Sequence, residues 1–502
     1  MNITSNRSHR VPTLRHQTLA VQVSQVAIYG VVALIDGQLG GSDALVYFLC
    51  VVTLLQLLWT LWSWSRLTGV VFDVYTLFVM AATAFNGGQA LLQIFHLNKD
   101  GILEGTFDAH GLVQTLLLVN LSMCAMHAGA VLGASRRRSV THAGTHDADG
   151  VTASDLRIVG AGMLLVAVVP TFLILKDSIF VVMQSGYFGL YQRDMATGFG
   201  AWQTVLSGFL FPGAIFLVAG SRRHKSWQIV SAVVVLANTA TMLYLGYRGS
   251  SSVLPVVAFV LAWHRCVKEL RWAPFVGAGV LMLLIFPLVR VTRNQAGESR
   301  NSVEYLRDAY LKIDNPAVDT LYEMGSSMLT VAHTLELIPA SRPYDDGTGY
   351  VYALMSFIPN IFWDVNPAMA RGSYSQWLVE RVFPEFAAQG GGTGYSFIAE
   401  AFANFGWFGP IALILLGYGL GRVCVWASDR QAPQRIAMIA SYASFFLFFA
   451  RAESLFITRP LLWYALMPYG ATFVVRALRT RVARRTPRNR IMSDGRVSFG
   501  AA

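Results

Sequence analysis

The chain has 502 residues, of which 54% are hydrophobic and 13% charged, with a net charge of +11 and four cysteines. A charged fraction near half the ~25% of soluble domains excludes a soluble globular fold of this length, and with it a disordered or acidic solvating chain. Four cysteines are too few for a disulfide-rich scaffold, which leaves an all-α polytopic integral membrane protein.

Taken in chain order, apolar runs of spanning length, about 17–25 residues, fall near 17–36, 44–64, 69–95, 111–134, 158–175, 201–220, 228–247, 252–266, 273–290, 404–425, 436–450 and 460–477. That predicts about 12 transmembrane helices, the eighth and eleventh being short. With the N-terminus inside, 25 of the 39 basic residues fall in inner segments and the tail, so both termini are expected in the cytoplasm. The first run follows Arg10 and Arg15 and precedes Asp36-Gly-Gln-Leu-Gly-Gly41, with no small-residue cleavage site, and reads as an uncleaved signal anchor. The arginine-rich tail reads as a stop signal attracted to anionic lipid, so no nucleic-acid partner is expected. Cys50 and Cys124 sit inside apolar runs, and no CxxC, HExxH, P-loop or dinucleotide fingerprint occurs, so neither a metal nor a cofactor is expected.

These runs divide the chain into an N-terminal bundle (1–290, about nine spans), a large loop (291–403), C-terminal transmembrane helices (404–477) and a basic tail (478–502). A loop of about a hundred residues far exceeds an ordinary connector and is expected to form a periplasmic cap. Within it Leu321, Met324, Met328, Val331 and Leu335 recur at 3–4 spacing, which predicts an amphipathic helix.

Arginines on the outer side run against the positive-inside bias. Arg290, Arg293, Arg300 and Arg307 would share one face of a continuing helix, Arg248 stands in a tight outer turn, and Arg451, Glu453 and Arg459 occupy another. Guanidinium groups suit a diphosphate, donating two parallel hydrogen bonds each. Snorkelling to lipid headgroups explains the same residues. A second cluster follows a glycine run from Gly390: Ser396, Glu400 and Asn404 recur on one face of the helix entering the tenth run. Glu400 reads either as a general base or as a helix cap or ion-pair partner. His333, on the amphipathic loop helix, is a second candidate base or a satisfied surface residue. Asp345-Asp346 lacks the spacing of a nucleotide-sugar metal site.

Three stretches resemble the O-antigen polymerase (Wzy) family of bacterial oligosaccharide repeat-unit polymerases: Gly246-Tyr-Arg248-Gly-Ser-Ser, Phe357-Ile-Pro-Asn-Ile-Phe-Trp-Asp-Val-Asn-Pro367 and Ser396-Phe-Ile-Ala-Glu-Ala-Phe-Ala-Asn-Phe-Gly-Trp-Phe-Gly409. The likeness covers residues 240–425, and asparagine stands at 360 and 366 where members often carry arginine and lysine. The resemblance implies a GT-C-like membrane glycosyltransferase in the bacterial inner membrane. It would polymerise undecaprenyl-diphosphate-linked oligosaccharides without metal, beside a flippase and a chain-length regulator. It carries a substrate-binding role to Arg248 and, after it, to Arg290 and Arg293. An O-antigen ligase with the same donor, or a lipid-linked oligosaccharide flippase, are the alternatives; the halves show no internal repeat of the transporter kind.

Overall fold

The structure, a computed structural model, describes residues 5–134, 150–192, 199–271, 277, 279, 280, 286–293, 302–358, 366–428 and 432–485. Arg300, Asn360, Arg136 to Arg138, most of the expected ninth span and the last part of the basic tail lie outside the described residues. Among the described residues every regular element is helical.

The first half comprises α1 (Ser5–Leu39), α2 (Asp43–Thr68), α3 (Val74–Ile94), α4 (Ala109–Ala134), α5 (Ala153–Ser185), α6 (Phe199–Ser207), α7 (Leu210–Ala219), α8 (Lys225–Leu245) and α9 (Leu254–Cys266). The large loop folds as α10 (Val303–Leu311), α11 (Pro316–Gly325), α12 (Met328–Leu337), α13 (Thr348–Met355), α14 (Pro367–Arg371), α15 (Tyr374–Val382) and α16 (Pro384–Ala388). α17 (Phe397–Phe405), α18 (Gly409–Trp426), α19 (Pro433–Phe448), α20 (Ser454–Pro460) and α21 (Met467–Arg485) complete the bundle.

Nine helical stretches among the described residues are long and apolar enough to cross a membrane. Two of the expected spans are shorter than a crossing: α9 has 13 residues and α19 has 16. The expected span near 404–425 instead begins at Phe397, because the Ser396 side chain accepts from Ile398 N and starts the helix there.

Association of helices in lipid depends on close backbone approach rather than on hydrophobicity. α4 and α18 meet through two small-residue steps, Gly129/Gly133 and Gly417/Gly421. A Cβ at Gly417 would lie 1.9 Å from the Met126 carbonyl oxygen, and one at Gly133 would lie 2.2 Å from that of Tyr418. The paired numbers rise together, so these two helices run parallel. α5 and α7 cross in the opposite sense, Gly160 against Leu217 and Gly220 against Ala153.

Between α2, α3 and α4 the seam is polar. Thr53, Gln56, Thr60 and Ser63 form one buried stripe of α2. Thr53 Oγ1 donates to Asn120 Oδ1 (3.1 Å), Gln56 Nε2 to the Asn120 carbonyl (2.9 Å), and His127 is bonded to Ser63 (2.9 Å) and Tyr75 (2.7 Å). Every polar group in lipid needs such a partner.

The expected amphipathic helix over 321–335 is two helices, α11 and α12, joined at Ser326 and Ser327. The break follows from packing. α11 presses on α3 where Gly325 meets Gly88; a Cβ at Gly325 would lie 2.5 Å from Gln89 N. α12 then turns to bury Met328 and Val331 in the core. The segment is thereby docked on the bundle, with Thr334 Oγ1 bonded to the Tyr395 hydroxyl at 2.9 Å.

Candidate functional site

The C-terminal ends of α3, α5, α8 and α19 reach the same end of the bundle, under the loop helices. Tyr187, just past α5, donates its backbone N–H to the Arg293 carbonyl at 3.0 Å, and Asn86 of α3 donates to the Ala450 carbonyl at 2.9 Å. Here several arginines converge. Arg248, in the turn after α8, forms a two-point ion pair with Glu323 of α11, Nη1 to Oε2 and Nη2 to Oε1. Arg290, Arg293 and Arg451 come from two other segments, and all three lie within electrostatic reach of Glu323.

Arg248 is bonded to the Glu323 carboxylate, and the charges of Arg290, Arg293 and Arg451 interact with it at longer range. Burial raises the Glu323 carboxyl, but the hydrogen bonds and charge of Arg248, then Arg290 and Arg293, outweigh it and hold it below the usual range. Burial first, and repulsion from Arg248 next, acts against the charge on Arg293. Burial also opposes the charge on Arg451, which Glu323 relieves only in part. Arginine stays protonated regardless, so the cluster keeps an excess of positive charge.

Glycines let the walls close around these side chains. Gly246 has φ +102°, and a Cβ there would sit 2.9 Å from Arg293 Cβ. Gly394, the last of the glycine run, has φ +71° and lies against Arg451, whose Nη2 donates to the Thr393 carbonyl at 3.5 Å.

Of the other sequence-derived residues, Ser396, Glu400 and Asn404 lie together but are fully committed. Ser396 Oγ donates to Asn86 Oδ1 at 2.6 Å while capping α17. Glu400 is 1% exposed; its oxygens accept from Ser454 N (2.8 Å) and Ser454 Oγ (2.5 Å) at the start of α20. Asn404 accepts from Gly349 N (3.1 Å) and donates to the Glu400 carbonyl (2.8 Å) and the Tyr374 hydroxyl (3.1 Å). His333 is 8% exposed, lies between Phe107 and Phe383, and contacts Glu336 at 3.1 Å. Arg459 is exposed and its electrostatic neighbour is Tyr464, while Arg307 is exposed beside Asp308.

Sequence reasoning missed Glu323, the partner of Arg248, although a signal existed: it is the one carboxylate between Asp319 and Glu336. It also missed a second charged network in the loop. Asp345 there receives Arg342 (3.0 Å), Arg371 and the Tyr374 hydroxyl, and Glu453 accepts from the backbone N–H of Tyr374 (3.0 Å) and Ser375 (3.1 Å) at the start of α15. The turn carrying Arg451 is thus clamped by Asn86 on one side and Glu453 on the other. Among the described residues no group of three or more His, Cys, Asp or Glu is arranged to hold a metal ion.

A helical bundle with many apolar spans, and a cluster of arginines beneath a folded loop, defines a multi-pass membrane protein. The chain belongs to the O-antigen polysaccharide polymerase Wzy family, whose model matches residues 23–478. It is accordingly an enzyme of the polymerase and glycosyltransferase type, from a family that works on lipid-linked oligosaccharides in a membrane. Comparison with curated proteins and with solved structures gives no match.

Proposed function

We propose that the chain joins undecaprenyl-diphosphate-linked oligosaccharide repeat units into O-antigen or a related surface polysaccharide at the periplasmic face of the bacterial inner membrane, in a bundle-and-cap arrangement of GT-C type. An acceptor sugar hydroxyl on one lipid-linked repeat attacks the anomeric carbon of the growing chain. The bond from that carbon to the diphosphate breaks, and undecaprenyl diphosphate leaves with the proton. The leaving group is already activated, so the main demand on the protein is to stabilise charge developing on the diphosphate.

The observation that carries this reading is that Arg248, bonded to Glu323, and Arg290, Arg293 and Arg451 come from three segments into one electrostatic neighbourhood. Such an excess of positive charge, partly withdrawn from water, favours a multiply charged anion. Glu400 has both oxygens occupied, and we assign it to holding the turn that bears Arg451 rather than to proton transfer.

Deletion of the gene, with complementation by the wild-type chain, tests the reading on a lipopolysaccharide gel. Loss of the ladder with core plus one repeat retained supports it. Core alone favours the ligase or flippase alternatives.

A further inference from the structure

A glycosyl diphosphate has a fixed order: a pyranose on one end of the diphosphate and an isoprenoid on the other. A cation site for it needs two unlike neighbours, and the arginine cluster has them. On one side Arg451 stands over the Phe85 ring at 6.0 Å, and Gly249, beside Arg248, lies against Phe448. On the other, Arg293 stands over the Tyr187 ring at 5.3 Å. Tyr187 packs edge-on against Tyr247 (5.5 Å) and Tyr191 (5.2 Å), and the hydroxyls of Tyr187 and Tyr191 are bonded at 2.8 Å. One flank of the cluster is aromatic without hydroxyls, and the other is aromatic with three.

Resting on the polymerase reading above, we infer that Tyr187, Tyr191 and Tyr247 form the subsite for the pyranose directly attached to the diphosphate. A tyrosine ring offers a flat apolar face to the C–H groups of a sugar, and the phenol offers a donor and acceptor to its hydroxyls. Pockets of this kind combine aromatic walls with a few placed polar groups.

An aromatic belt facing lipid headgroups is the ordinary explanation for tyrosines at a membrane boundary, and three features set this cluster apart. The rings contact one another and a site arginine. The loop covers them, with Phe188 meeting Phe386 edge-on at 6.1 Å and Gly390 (φ +79°) placed so that a Cβ would lie 3.2 Å from Tyr191 Cβ. Tyr191 nevertheless remains 47% exposed, so its ring is accessible to a ligand. Tyr247 is the residue before Arg248, so one tight turn supplies both a sugar contact and a phosphate contact.

The test uses the full-length protein in nanodiscs with two probes: a lipid-linked repeat unit, read as KM for polymerisation, and undecaprenyl diphosphate without sugar, read as the concentration that half-inhibits. Tyr191→Ala and Tyr247→Ala should each raise KM about tenfold and leave inhibition by undecaprenyl diphosphate within about twofold, whereas Tyr191→Phe should restore part of the loss. Arg293→Ala should weaken both probes. Equal effects of the tyrosine variants on both probes, or no effect on either, would overturn the subsite while leaving the polymerase reading intact. A wild-type chain that forms no polymer from lipid-linked repeats would overturn the reading and the subsite together.

Discussion

Arg248 and Glu323 meet in a two-point ion pair that ties the turn after α8 to the loop helix α11. Their side chains are only 14% and 22% exposed, so the pair sits where a lost partner leaves a poorly solvated charge. It fixes the cap to the bundle at the point where the other arginines gather.

Removing the carboxylate should therefore cost more than a surface ion pair would. Glu323→Ala is expected to lower the unfolding free energy by about 3 kcal/mol, measured by denaturant titration in mixed micelles. A double-mutant cycle with Arg248→Ala should show coupling of about 1–3 kcal/mol. Additive effects would show that the pair is not formed.

The same carboxyl sets a pH dependence. Burial raises it, Arg248 with Arg290 and Arg293 lowers it further, and the folded value falls below the ordinary one of 4.5. A depressed carboxyl contributes stability that is fully present above its unfolded value and is lost as pH falls through the folded value. Thermal stability should be insensitive to this group near neutrality and decline below about pH 4.5. In Glu323→Gln that part of the decline should disappear.

Much of the bundle was legible in the sequence, and hydropathy shows why. Long apolar runs locate helices such as α2, α4, α5 and α8 directly, because lipid demands a continuous apolar surface. It also locates α9 and α19, read as short runs and found to be helices of 13 and 16 residues. The site was legible by half. Arg248, Arg290, Arg293 and Arg451 stand out against the positive-inside bias, but Glu323 lies 75 residues from Arg248 and no local pattern links them. Glu400 was conspicuous as a carboxylate near the membrane boundary, yet only the fold shows its two oxygens bonded to Ser454.

For Glu400 the expected signature is loss of fold before loss of chemistry. Ser454→Ala, which removes one of the two hydrogen bonds, should destabilise by about 1–2 kcal/mol. Glu400→Gln should lower stability by more, with activity falling in proportion to folded protein. Glu400→Gln at full stability with no activity would instead mark it as a base.

The α4 and α18 crossing makes a paired prediction. Gly417→Ala would place a Cβ 1.9 Å from the Met126 carbonyl oxygen, and should sharply reduce the yield of folded protein in detergent. Gly419→Ala, with nothing within 4 Å of its Cβ, should be neutral or slightly stabilising, since alanine favours a helix over glycine.

The most direct test is binding of undecaprenyl diphosphate to the purified full-length chain in nanodiscs, compared among single arginine variants at fixed salt. Arg293→Ala and Arg451→Ala should each weaken binding about tenfold or more, the loss expected for a charge-assisted contact. Arg459→Ala, outside the cluster, should leave it unchanged. Equal weakening by all three, or none by the first two, would contradict a single diphosphate site built from arginines of separate segments.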